Sequence, residues 1–237
     1  MTCSNVAQRR SSARANWRVE ASARSAHNAV MSSSDFDNAL IAAAFKQAAE
    51  VGWARLTIID AARAACLSVS EARARFPGKL ALLRRFGAML DQTALAADSG
   101  EGPVRERLFD LLMSRFDSMK PHREGLRALT RQLPGDPAAA LLLSCATRRS
   151  MRWMLQAAGG STAGIRGELR VRGLIAVWLW AMRAFERDES EDLSATMAAL
   201  DTALGRAHQM ATWISGESPR DSEPDVSAVP DATDEPA

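Results

Sequence analysis

Phe36, Leu40, Ala44, Ala48 and Val51 recur at spacings of four and three, predicting a first helix from about Asp37 to Val51 with Gly52 as its cap. Two short helices follow in quick succession. Thr57 and Asp60 form a T-x-x-D capping box that starts a helix at Ile58, and Ser68 with Glu71 starts another at Val69. The first has room for two turns before Cys66-Leu67, and the second stops before Pro77-Gly78. A fourth helix opens near Lys79, carries Leu82, Phe86 and Met89 inward and continues to about Ala97. Two helices joined by so tight a turn describe a helix-turn-helix.

Beyond the break at Asp98–Pro103, Val104, Leu108, Leu112 (or Leu111), Arg115 and Met119 outline a fifth helix stopped by Pro121. Glu124 to Leu133 makes a shorter sixth, and Asp136-Pro137 begins a long seventh with aspartate as cap and proline at the first helical position. The eighth, about Arg166 to Arg187, is apolar on every side through GLIAVWLWAM, so one side needs the core and the other a second subunit. A ninth begins at Ser190 with Glu191 and Asp192 favourably placed at its positive end. Leu193, Met197, Leu200, Leu204, Ala207, Ala211 and Ile214 then alternate by four and three, as in a seam between nearly parallel helices.

Ala, Leu and Arg dominate while β-formers are sparse, which supports an all-α fold. The net charge of +2 conceals an asymmetry. Residues 1–34 carry five arginines against Glu20, and residues 216–237 carry seven acids against Arg220. Both are predicted to be disordered. The first has the composition of an organellar transit peptide, although Met31 also reads as an alternative start. The domains expected between them are a helix-turn-helix unit at 35–86 and a larger helical unit at 87–215. Cys3, Cys66 and Cys145 are scattered, which argues against a disulfide framework or a zinc site and for a cytoplasmic protein. The longest apolar run, Leu174 to Met182, is about half of what a bilayer requires.

Residues 38–86 resemble the DNA-binding domain of the TetR family of transcriptional regulators. The resemblance rests on Ala43, Phe45, Gly52, Thr57, Asp60, Ala62, Ala65, Ser68, Phe76, Lys79 and Leu82–Leu83, with the F-x-x-K spacing of Phe76 and Lys79 its most specific part. It implies a homodimeric, ligand-responsive repressor in which a small hydrophobic ligand alters the spacing of two DNA-binding heads on a double-stranded operator. There are three departures from the pattern. Cys66 stands where the family usually has glycine, at about 1 kcal/mol if the backbone is left-handed there. Arg73 replaces the usual phosphate-contacting tyrosine, and Ala72 and Ala74 leave little side chain for reading bases.

DNA contact is expected from Thr57, Ser68, Ser70, Glu71, Arg73, Arg75 and Lys79, with Glu71 and Arg75 the only long candidates for base reading. The plainer alternative is a solvated basic face. Phe109, Met113, Phe116, Met151, Trp153, Met154, Trp178 and Met182 are candidates for an adaptable apolar ligand pocket, or equally for a packed core. Leu174, Trp178, Met197, Leu200, Leu204 and Ala211 are candidates for a dimer interface. His122 and His208 have no neighbour spaced for a triad or metal site, so neither a catalytic residue nor a cofactor is assigned. A second resemblance covers Pro121 to Trp213, which is similar to the TetR-fold lipid-binding accessory proteins of ubiquinone biosynthesis through Asp188-Glu-Ser-Glu-Asp-Leu193. It implies a quinone or lipid ligand and no DNA.

Overall fold

The computed structural model describes residues 32–215, with side chains through residue 210. The expectations for the flanking segments, and for the side chain of Ala211, lie outside those residues. Nine α-helices and no strand occur among the described residues: α1 (Ser33–Val51), α2 (Ile58–Ala64), α3 (Val69–Arg75), α4 (Lys79–Ala96), α5 (Val104–Met119), α6 (Arg123–Gln132), α7 (Pro137–Ala157), α8 (Gly164–Phe185) and α9 (Ser194–Ser215). Short 3-10 turns at Lys120–His122 and Leu133–Gly135 flank α6. The first helix starts four residues before the expected Asp37, because Ser32 and Asp35 form a reciprocal capping box.

α1, α2 and α3 pack around Phe36, Leu40, Phe45 and Ala62, and α4 closes the cluster with Leu82 and Phe86 before running on into the larger unit. The helix-turn-helix region meets the later helices through α1 and α6. A Cβ at Gly125 would lie 2.3 Å from the Phe45 carbonyl oxygen, so only glycine allows the two backbones this close. Gln132, at the other end of α6, accepts a hydrogen bond from the Ala54 amide.

α9 returns along α8 from a connection at 186–193 organised by Asp188. That buried carboxylate accepts from the amide and hydroxyl of Ser190 and from the amide and hydroxyl of Thr196, both at 2.7 Å. Burial pushes its pKa up, but these hydrogen bonds outweigh burial and hold it down to about 2. The helix therefore starts at Ser194 and not at Ser190: the acid that serves its first turn comes from eight residues before Thr196. From α6, Arg123 donates to the Asp188 carbonyl and Arg127 to that of Glu186 at 2.5 Å, which satisfies carbonyls beyond the end of α8.

The heptad pattern on α9 has a different meaning from the one expected. Leu200, Leu204, Leu174 and Trp178 are 0–5% exposed, so they belong to the chain's own core, in which α8 and α9 pack on one another. Met197 is 42% exposed. Exposed apolar groups lie instead on the outer face of α8, at Ile165, Leu169, Ala176, Leu179 and Trp180, with the exposed Arg172 and Arg183 among them.

Candidate nucleic-acid interface

The helix-turn-helix is built by local hydrogen bonds that its sequence specifies. The Thr57 hydroxyl accepts the Asp60 amide at 3.1 Å and donates to the Asp60 carboxylate at 2.6 Å. Ser68 caps α3 by accepting from the Glu71 amide and also bonds the Ser70 hydroxyl at 2.9 Å. Between them the chain turns through Cys66 at φ 56°, in the left-handed region, and the Leu67 amide bonds back to the Ala62 carbonyl at 2.8 Å. A non-glycine residue thus holds the conformation for which the family uses glycine.

Glu71 and Arg75 are turned to another purpose. Arg75 pairs with Glu71 at 2.7 Å, reaches Asp37 at 3.1 Å and the Ser33 carbonyl at 2.9 Å, and lies 4.8 Å from the Phe36 ring centroid. Arg85 binds the second oxygen of Asp37 at 2.7 Å. Asp37, 7% exposed, therefore ties α3 and α4 to α1, and both expected base readers are occupied inside the domain. Lys79 is also engaged: its ammonium donates to the Trp53 and Ala54 carbonyls, each at 3.1 Å, and fixes the loop ahead of α2. The exposed side chains of α3 are Ser70, Arg73 and Ala74. Arg73 uses one nitrogen on the Pro77 carbonyl at 2.7 Å, which aims the guanidinium along the end of α3 with further donors available.

Asp37 was not singled out from sequence. Its only signal was an acid beside the apolar stripe of the first helix. Arg115 gave a clearer one, since it falls in the apolar stripe of α5. Its guanidinium is buried, bonded to Asp91 of α4 and 5.0 Å from the Trp178 ring centroid, while Ser150 of α7 donates to the other Asp91 oxygen at 2.6 Å. Burial lowers its pKa to about 10, which leaves it charged at neutral pH.

The expected pocket residues mostly fill one another. Phe116, Met151 and Met154 are 0% exposed, and Phe116 stacks on Trp178 with centroids 4.6 Å apart. Met113 is buried, and Phe109 and Met182 are half-buried against the same cluster. Trp153 departs from the group: at 56% exposure it points to solvent, because its position on α7 lies on the flank away from Met151 and Met154. An open groove of about 450 Å³ lies elsewhere, lined by Arg127, Thr130, Arg131, Glu186, Arg187 and Glu189.

His122 sits in the turn before α6, its ring 5.4 Å from that of Phe45 and 5.3 Å from that of Phe86. Burial lowers its pKa below the ordinary 6.5, so the native state resists protonation. Below about pH 6.5 the unfolded chain binds the proton more readily, and stability falls with pH until the folded group also titrates. The carboxylates held low, Asp98, Glu168, Asp188 and Asp192, titrate further into acid. Between pH 7.5 and 5.5, wild type is expected to lose melting temperature and His122→Gln to lose less. Equal losses in thermal melts of the two proteins would show that His122 is not responsible.

No family model and no curated protein matches the chain. Solved structures do. A TetR transcriptional regulator from Nitrosomonas europaea superposes with a TM-score of 0.61 at 22% identity, covering 73% of this chain and 98% of its own. A TetR-family regulator from Streptomyces coelicolor gives 0.53 at 20%, over 81% of this chain and 93% of its own. GusR from Salmonella enterica gives 0.52 at 19%, over 78% and 97%. From the capped helix pair to the α8–α9 pair, the chain has the fold of the TetR transcriptional regulators.

Proposed function

We propose that the protein is a dimeric, DNA-binding regulator of transcription whose recognition helix grips the phosphate backbone more than it reads bases. The observation that carries this reading is the intact helix-turn-helix, with both helices capped and α3 presenting Ser70 and Arg73 while Glu71 and Arg75 are held inward. A guanidinium at position 73 supplies several donors to a phosphate oxygen, and such contacts position a protein without specifying sequence. Sequence preference then comes from duplex shape. A small hydrophobic ligand would have to open the core around Met151 and Met154, whose flexible side chains suit such repacking.

The test is a salt titration of binding to the DNA upstream of the protein's own gene. If Arg73 neutralises one phosphate per subunit, Arg73→Ala removes two contacts per dimer and the slope of log affinity against log salt becomes shallower by about 1.8. The melting temperature should hardly move, because Arg73 is exposed. Lys79→Ala should instead lower it, since Lys79 satisfies two loop carbonyls.

A second reading, a lipid- or quinone-binding accessory protein without DNA affinity, is favoured by the Asp188 connection. The residues that carry the resemblance to the ubiquinone-biosynthesis proteins include the acid and serine that organise the start of α9. Absence of DNA binding by wild type even at low salt, with a quinone extracted from the purified protein, would put this reading first.

A further inference from the structure

Between Pro137 and Phe185 the α7–α8 hairpin carries seven arginines against a single acid, Glu168, a net charge of +6. Arg148, Arg152 and Arg172 converge on Glu168 at 2.9, 2.7 and 3.5 Å, so one carboxylate serves three guanidinium groups. Those arginines remain 56%, 42% and 73% exposed. Arg149, Arg166, Arg170 and Arg183 are exposed as well. This excess of positive charge has no use in the DNA-contacting helix pair, which is built from α2 and α3.

The geometry of α9 says what is near it. Because α9 returns along α8 from the short connection at 186–193, it runs back toward the end of α8 that begins with Gly164. The chain continues from there into residues 216–237, where Glu217, Asp221, Glu223, Asp225, Asp231, Asp234 and Glu235 stand against Arg220 alone, a net charge of −6. The segment that leaves α9 thus carries a charge equal and opposite to that of the hairpin. Twenty-two residues reach at most roughly 70 Å, about twice the roughly 33 Å length of α8. A short tether also gives an effective concentration on the order of millimolar.

We propose that the acidic segment 216–237 binds the exposed arginines gathered around Glu168 on the α7–α8 hairpin of its own chain and shields them from other polyanions. The contact is one of Arg forks with carboxylates and depends on salt. It holds whether the protein regulates transcription or binds lipid.

The three native cysteines report on the three places the segment could go. Cys145 lies exposed on the hairpin, Cys66 lies exposed in the turn of the helix-turn-helix, and Cys3 belongs to the arginine-rich N-terminal segment. The full chain carrying Ser227→Cys is treated with a short bismaleimide, and the joined peptides are identified by mass spectrometry. At low salt, adducts of residue 227 with Cys145 are expected to exceed those with Cys66 and Cys3 several-fold. They should fall several-fold in about 0.5 M salt, and equally in a full-length variant with all seven acids changed to amides. Preference for Cys3 or Cys66 would overturn the proposal, as would Cys145 adducts indifferent to salt and charge. A mixture of chains of two isotopic masses that yields mainly mixed adducts would place the contact between chains and overturn it too.

Discussion

Gly125→Val should lower stability by about 3 kcal/mol, the upper end for forcing bulk into a packed site. A β-carbon at position 125 would meet the carbonyl oxygen of Phe45 at 2.3 Å and its carbonyl and α-carbons at 2.8 Å. All three are backbone atoms of α1, so no rotamer change relieves the clash, and the helices must separate. Gly125→Ala meets the same obstacle but regains up to about 1 kcal/mol from helix propensity, and should cost less. For a protein of this size the valine variant corresponds to roughly 6–12 °C in melting temperature. The same separation would loosen His122 from Phe45 and Phe86, so its pKa should rise toward the ordinary value. Thermal melts and an NMR titration of His122 read both effects. An unchanged melting temperature would mean that α6 does not approach α1 as described.

The contrast between what sequence disclosed and what it concealed follows from the range of the interactions involved. Thr57, Ser68 and Asp136 cap helices through hydrogen bonds that span three residues, so the starts of α2, α3 and α7 were legible within one residue. Asp188 reaches Thr196, eight residues on, and the start of α9 was accordingly misplaced. Glu71 and Arg75 look like base readers as long as α3 is considered alone. Their role is decided by Asp37, thirty-eight residues before Arg75, and no local spacing announces that pairing. The close approach at Gly125 was invisible for the same reason, since a glycine inside a helix pattern reads only as a weak position until its neighbour is known.

Periodicity has a related limit, and it bears on the proposed dimer. The three-four alternation of Leu193, Leu200 and Leu204 correctly reported a helix seam, but a seam looks the same whether the partner helix is in the same chain or another. Their burial within a single chain whose α8 and α9 pack together assigns this one. The side of α8 left over carries Ile165 at 89% exposure, Leu169 at 50%, Leu179 at 53% and Trp180 at 50%. Spacings of four, ten and one keep these residues on one side of the helix. Arg172 and Arg183 share this side, so the apolar patch that suits a self-complementary contact about a two-fold axis centres on Ala176, Leu179 and Trp180.

Changing Leu179 and Trp180 together to glutamate is therefore expected to convert dimer to monomer. Each side chain gains roughly 1.5–3 kcal/mol on full burial, and a symmetric interface loses each one twice. Both are already about half buried in the protomer, so the sum is about 3–6 kcal/mol, which weakens association roughly 10²–10⁴-fold. Both residues are exposed in the protomer, so the monomer's own stability should shift by only about 0.5 kcal/mol. Leu200→Ala supplies the opposite pattern, because Leu200 is wholly buried within one protomer. It should cost about 2–5 kcal/mol of stability while leaving the association constant of the folded protein nearly unchanged. Sedimentation velocity across a concentration series, with thermal melts on the same samples, separates the two. A Leu179→Glu/Trp180→Glu protein that sediments as a dimer at the wild-type concentration would exclude the outer face of α8 as the interface.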